Sequence, residues 1–135
     1  MNFNYSRQVF AFECDFYGHL NNANYLHLFE EARAQALKDV GLSILKISKL
    51  GFSIFVKELK ISYLKPIMLE DIFLIKSEII TINRVKSLWE QTILTGDKKC
   101  AKIELQAVFA KDGKPFRVDK NIIEKIKGKS YEFKK

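Results

Sequence analysis

The chain has 135 residues, 47% of them apolar and 13% aromatic, which suits one domain with a substantial core and excludes wholesale disorder. Its 23 basic and 16 acidic side chains give a net charge of +7, a balance that favours anionic partners. No basic-then-apolar leader opens the sequence, and apolar runs such as residues 72–75 are far too short for a membrane span, so the expectation is a cytoplasmic protein without membrane contact.

Nine basic and four acidic residues fall between Lys111 and Lys135, so +5 of the net charge sits in the last segment. A short solubilising tail over about residues 128–135 accounts for much of it. Cys14 and Cys100 stand far apart and form neither a CxxC pair nor a metal spacing, which fits a reduced compartment. No His is spaced to activate Cys14 as a nucleophile.

The elements follow in chain order. Residues 5–13 alternate loosely and predict a first strand. The pattern breaks at Asp15-Phe16-Tyr17-Gly18-His19-Leu20-Asn21-Asn22, a turn rich in residues that adopt positive φ and cap helices. A helix is predicted over residues 23–39, with Tyr25, Leu28, Phe29, Ala32 and Ala36 on one face at the 3.6-residue period. Ala32 and Ala36 are small, so that face can lie close to a sheet. Residues 43–50 predict a short helical connector. Four strands follow, around residues 57–65, 71–82, 85–95 and 101–109, separated by turns at Pro66, Asn83-Arg84 and Gly96-Asp97. The last strand has the cleanest alternation in the chain. Asp119 is placed to cap a final short helix through Ile122, Ile123 and Ile126.

Short turns imply antiparallel neighbours. One apolar-faced helix with an antiparallel sheet predicts a single α+β domain over residues 1–135, the sheet wrapped around the helix.

The segment that carries chemistry is the one around Asp15. A carboxylate precedes a Gly-containing turn that opens directly into a helix. Backbone N–H groups in the first turn of a helix lack internal partners and lie at the positive end of the dipole, where they can stabilise an oxyanion. A carboxylate beside such donors is half of a hydrolytic site, able to attack a carbonyl or to activate water. An Asp before a helix also serves as a cap or closes an Asx-turn.

The run from Asp15 through Gly18-His19, Asn21-Asn22 and Tyr25 to Phe29-Glu30-Glu31-Ala32-Arg33 closely resembles the motif D-x-x-G-H-x-N-N-x-x-Y-x-x-x-F-E-E-A-R of the 4-hydroxybenzoyl-CoA thioesterase-like branch of the hotdog superfamily. The likeness continues through residues 55–66, which look like the family strand ending in a basic residue and Pro66, and through residues 108–115. The resemblance implies a hotdog fold, a five-stranded antiparallel sheet around one central helix. It implies hydrolysis of an acyl-CoA thioester to free acid and coenzyme A. Asp15 would be nucleophile or general base, and the backbone N–H groups of Asn22 or Ala23 would polarise the carbonyl. His19 would support the turn and Gly18 would form it. An active site across a dimer interface is implied too, so a homodimer or homotetramer is expected.

Coenzyme A carries several phosphate charges, and Arg84, Lys86 and Ser87, at a turn between strands, are the candidates to meet them. Tyr17 is a candidate to line the substrate pocket. Glu31 reads as an ordinary surface glutamate, and His27 as solvated. No metal site, Gly-rich phosphate loop or GxSxG elbow is present, so no cofactor beyond the substrate's own coenzyme A is expected. Three other readings compete: a hotdog hydratase or dehydratase, a non-catalytic acyl-CoA binding module, and nucleic-acid binding by the basic tail. A hydratase would carry its acid on the central helix, and a binding module would lack Asp15. No nucleic-acid reading motif is visible.

Overall fold

The computed structural model describes residues 2–132. Along the chain run β1 (Asn2–Gln8), a 3-10 turn (Ala11–Glu13), α1 (Asn24–Asp39), α2 (Ile44–Lys49), β2 (Ser53–Tyr63), β3 (Ile72–Ile82), β4 (Lys86–Thr95), β5 (Lys98–Lys111), a two-residue β6 (Lys114–Pro115) and α3 (Lys120–Glu132). The sheet is antiparallel throughout, in the order β1-β3-β4-β5-β2, with β6 folded back on the end of β5. The expected α+β hotdog is therefore present, extended by a minimal sixth strand.

The sheet curls because its ladders carry irregularities. Register shifts fall between Val56 and Glu58 in β2, between Ile79 and Thr81 in β3, and between Ile93 and Leu94 in β4. Each adds local twist. The concave face so formed receives α1. Tyr25, Leu28, Phe29, Ala32 and Ala36 of α1 are all buried, and the two alanines let the helix approach Phe73, Ile75, Ile93 and Ile103 of the same core. Truncating a fully buried ring such as Phe29 or Phe73 to Ala is worth about 3–5 kcal/mol in such a core.

The first strand and the final helix differ most from the sequence reading. The first strand ends at Gln8 rather than running to Glu13, because its partner β3 begins at Ile72 and the ladder has no further residues to pair. The chain then turns through the 3-10 turn. The final helix is longer than the expected short one and runs through Glu132, so the proposed tail is helical over its first residues, and residues 133–135 lie outside those described. Asp119 does stand at its start, its carboxylate accepting the Asn121 N–H at 2.9 Å. No helix among the described residues is long and apolar enough to cross a membrane.

β2 is an edge strand of eleven residues. Phe55, Leu59 and Tyr63 on it are 46%, 40% and 47% exposed. A long edge with apolar side chains is a template for pairing with another chain.

Candidate active site

Asp15 sits in a tight loop stapled at both ends. Its N–H donates to the His19 carbonyl at 2.7 Å, and the Gly18 N–H donates to its carbonyl at 3.1 Å. A bridge pairs Cys14 with Leu20, and another pairs His19 with Met68. Gly18 makes the reversal with φ +76°, a left-handed conformation that costs little only in glycine. A Cβ there would meet nothing within 4 Å, so the backbone angle, not space, demands glycine.

The Asp15 carboxylate is exposed, and one oxygen, Oδ1, accepts two backbone N–H groups: Tyr17 at 2.9 Å and His19 at 3.1 Å. Both partners are backbone. His19 thus supports Asp15 through its main chain, and its imidazole lies beside the Tyr17 ring, with centroids 6.5 Å apart. The second carboxylate oxygen has no hydrogen-bond partner among the described residues, and the residue is exposed. Tyr17 and Phe16 beside it are 78% and 98% exposed.

The start of α1 separates the two expected oxyanion donors. Asn21 closes the turn that leads into the helix: its Oδ1 accepts the Ala23 N–H at 2.9 Å and its carbonyl accepts the Asn24 N–H at 2.9 Å. The Ala23 N–H is therefore occupied. The Asn22 N–H has no acceptor among the described residues, and the Asn22 carbonyl is held from behind by the Tyr63 hydroxyl at 3.0 Å. Of the two, Asn22 is the donor left for an oxyanion.

An ion cluster unforeseen from sequence locks this loop onto the sheet. Arg7 of β1 donates to both oxygens of Glu13 at 2.8 and 2.6 Å and to both oxygens of Glu31 at 2.9 Å each. Its guanidinium lies over the Phe10 and Phe73 rings, 5.1 and 5.3 Å from their centroids. Glu13, two residues before Asp15, also accepts the Phe10 N–H through its side chain, and its carbonyl accepts the Asn21 N–H and the Asn24 side-chain amide. Tyr5 donates to Glu31 at 2.9 Å. Glu31 is thus a clamp between helix and strand, not the free surface glutamate expected. The Arg7 hydrogen bonds hold the Glu13 carboxyl below the usual carboxylate range. The same contacts push Arg7 further up. The signal in the sequence is a charged residue in the inward phase of a strand, after Phe3 and Tyr5.

The candidates for coenzyme A divide. Lys86 is exposed, but Ser87 is buried and accepts the Trp89 indole N–H at 3.0 Å. Adjacent strand residues face opposite sides of a sheet, so Ser87 points into the interior while Lys86 points out. Arg84 spends its Nε–H on the Val118 carbonyl at 2.7 Å, fastening the approach to α3. With Asn83, Lys86, Arg117 and Lys127 it lines a surface groove of about 650 Å³, a concentration of four basic side chains.

A cavity of about 740 Å³ lies elsewhere: between the second half of α1, α2 and the sheet. Residues 53–56 of β2 form one wall, with Trp89, Ala107 and Phe109 as its floor and Arg33, Ala34 and Leu37 of α1 opposite. Ser87 opens into it, and Ile82 lines both this cavity and the basic groove. Asp15 does not line it.

The thioesterase-like superfamily model matches residues 10–126, nearly the whole chain. The chain belongs to the thioesterase-like superfamily. Within it, the acyl-CoA thioesterase YbgC of Haemophilus influenzae is 26% identical over 115 residues, 83% of each chain. The long-chain acyl-CoA thioesterase FadM of Escherichia coli is 30% identical over 86 residues, 64% of each. A crystal structure of a hypothetical protein from Aquifex aeolicus superposes with a TM-score of 0.87 at 26% identity, covering 92% of this chain and 98% of that one. This thioesterase-family member thus carries the family fold and a loop-borne carboxylate at the start of its central helix.

Proposed function

We propose that the protein hydrolyses an acyl-CoA thioester, with Asp15 as the reacting carboxylate and the Asn22 N–H polarising the thioester carbonyl. The observation that carries this reading is the Asp15 carboxylate itself. It is preorganised by two backbone N–H groups, without a hydrogen-bond partner on its other oxygen among the described residues, and followed by a helix start with one unspent N–H. Such donors cost no reorganisation when charge develops on the carbonyl oxygen. Thioester hydrolysis needs water, a base or nucleophile, and an oxyanion donor; a metal is not required for any of these steps. The thioesterase activities of the relatives support the same chemistry.

The acyl cavity and Asp15 belong to different copies in this proposal. A two-fold axis through the middle of β2, at Glu58, would pair Ser53 antiparallel with Tyr63 of the second copy. Residues 53–56 wall the cavity, and Tyr63 holds Asn22. Edge pairing therefore brings the helix start of one copy to the cavity of the other, and it buries the exposed Phe55, Leu59 and Tyr63. Light scattering is expected to give a dimer or a larger even assembly. Complementation tests the shared site directly. Asp15→Asn removes the carboxylate, and Ala34→Trp fills the cavity. Each alone is expected to be inactive. Unfolded together and refolded as an equal mixture, they are expected to recover about a quarter of parental activity, since half the dimers are mixed and each has one intact site. No recovery from a mixture shown to contain mixed dimers contradicts the shared site.

The basic groove is the proposed seat of the coenzyme A phosphates, because it adjoins the cavity at Ile82 and Arg prefers phosphate geometry. Reversing charge with Lys86→Glu and Arg117→Glu is expected to raise KM for acyl-CoA by roughly tenfold or more. The same variants are expected to leave KM for the matching pantetheine thioester, which lacks the nucleotide, within about twofold of the parent. Equal KM changes for both substrates would place the phosphates elsewhere.

A further inference from the structure

The Asn22 N–H lies on one of two peptide planes that meet at Asn22, and the other polar groups of both planes are engaged. Before Asn22, the Asn21 carbonyl accepts the Asn24 N–H at 2.9 Å. After it, the Ala23 N–H donates to Asn21 Oδ1 at 2.9 Å, and the Asn22 carbonyl accepts the Tyr63 hydroxyl at 3.0 Å. The first two bonds are local to the turn and move with it. The Glu13 carbonyl anchors Asn21 and Asn24 from one side. The peptide after Asn22 is left to Tyr63, the last residue of β2 and 41 positions along the chain.

Tyr63 is itself aimed. Its ring stands edge-on to the buried Tyr25 ring, with centroids 5.1 Å apart and planes at 81°. α1 thus holds the ring whose hydroxyl reaches back to the start of α1. Packing on an edge strand needs only the ring; the bond to a backbone carbonyl is a separate interaction. That carbonyl belongs to the peptide after Asn22, not to the one that carries the Asn22 N–H. The hydroxyl therefore sets the direction of the donor and does not polarise it. Direction matters because oxyanion donors act by being fixed in advance, and a misplacement of about 1 Å costs on the order of a hundredfold.

We propose that Tyr63 is a positioning residue for the reaction: its hydroxyl fixes the peptide after Asn22 so that the Asn22 N–H points at the thioester carbonyl oxygen. This rests on the reading of Asn22 as the oxyanion donor, and the test is chosen so that the two fail separately. Tyr63→Phe removes the hydroxyl and keeps the ring against Tyr25, so melting temperature and light scattering are expected to match the parent. On an acyl-CoA that the parent hydrolyses, kcat is expected to fall roughly ten- to a hundredfold. KM is expected to stay within about twofold, the pattern of an interaction made only in the transition state.

Binding gives a second readout that needs no turnover. A trifluoromethyl ketone thioether of coenzyme A presents the oxygen to the donor, and the matching thioether without the carbonyl does not. By calorimetry the parent is expected to prefer the ketone at least roughly tenfold. Tyr63→Phe is expected to lose most of that preference while binding the plain thioether within about twofold of the parent. Parental kcat or an unchanged ketone preference in folded Tyr63→Phe overturns the proposal. So does equal weakening of both ligands, which sets the hydroxyl against the substrate, or dissociation of the variant, which sets it in an interface. No ketone preference in the parent removes Asn22 as the donor and Tyr63 with it. A Tyr63-dependent preference in a protein that hydrolyses no thioester retains the positioning role and removes the proposed activity; Asp15-dependent hydrolysis with parental kcat in Tyr63→Phe does the reverse.

Discussion

Asp15→Asn is expected to lower turnover at least roughly a hundredfold, the usual loss for a positioned acid–base group, while the protein stays folded. Attack on the thioester carbonyl and deprotonation of water both need the charged carboxylate, and both end with its removal. The fold is expected to survive because Oδ1 does the structural work. It accepts the Tyr17 and His19 N–H groups, and an Asn oxygen accepts them equally. Asp15→Ala deletes those bonds as well and is expected to cost about 1 kcal/mol, as for a lost cap. His19→Ala is expected to cost less activity than Asp15→Asn, since only the His19 backbone contacts Asp15. Melting temperature and turnover measured on the same preparations separate chemistry from capping. A folded Asp15→Asn protein with parental turnover would leave Asp15 as a loop staple and nothing more.

Arg7→Met is expected to cost about 3 kcal/mol of stability, at the low end for breaking a buried ion pair by removing one partner. The low end applies because Arg7 and Glu31 keep 19% and 38% of their side-chain exposure, while Glu13 keeps only 7%; the Glu31 pair is largely screened. For a domain of this size the loss corresponds to a melting temperature lower by roughly 10 °C. The pH dependence follows from the Glu13 carboxyl. In the parent its pKa is depressed by Arg7, so it stabilises the fold above the ordinary carboxylate value, and that stability is lost as pH falls through the depressed value. In Arg7→Met the main cause of depression is gone, and burial, which raises the pKa, is opposed only by the Phe10 N–H hydrogen bond and by His27. The variant's deficit is then expected to narrow as pH falls from 7 towards 4. Denaturant unfolding at several pH values checks this, and a deficit independent of pH would contradict the role given to the Arg7–Glu13 pair.

The parts of the fold that were legible in the sequence are those with an unbroken period. The alternation of Ala101, Ile103, Leu105, Ala107 and Phe109 reads directly as the inward face of β5, all five being buried. The apolar stripe of α1 is equally clear. The first strand was overextended because Val9 and Phe10 continue its composition after its ladder has ended at Gln8. The Asp15 loop was legible from Gly18, Asn21 and Asn22, since turn chemistry is local. What supports the loop was not. Arg7 and Glu31 are 24 residues apart and meet only because the curled sheet lies against α1. Arg33 and Gln91, 58 apart, meet for the same reason. In each case the trace left in the sequence is a polar residue in the buried phase of an element: Arg7 after Tyr5, Gln91 after Trp89, Arg33 after Phe29. Lys86 and Ser87 show the converse error, two neighbours assigned to one surface although a strand sends them to opposite faces.

The central claim is hydrolysis of acyl-CoA thioesters, and the most direct measurement is release of free coenzyme A thiol from a panel of esters. The panel spans short, long, aromatic and carboxylate-ended acyl groups, with the purified protein at neutral pH and the folded Asp15→Asn protein as control. The expected result is Asp15-dependent thiol release from at least one ester well above the rate without protein. Thiol release no faster than buffer across the whole panel, from a folded and correctly assembled protein, would contradict the account.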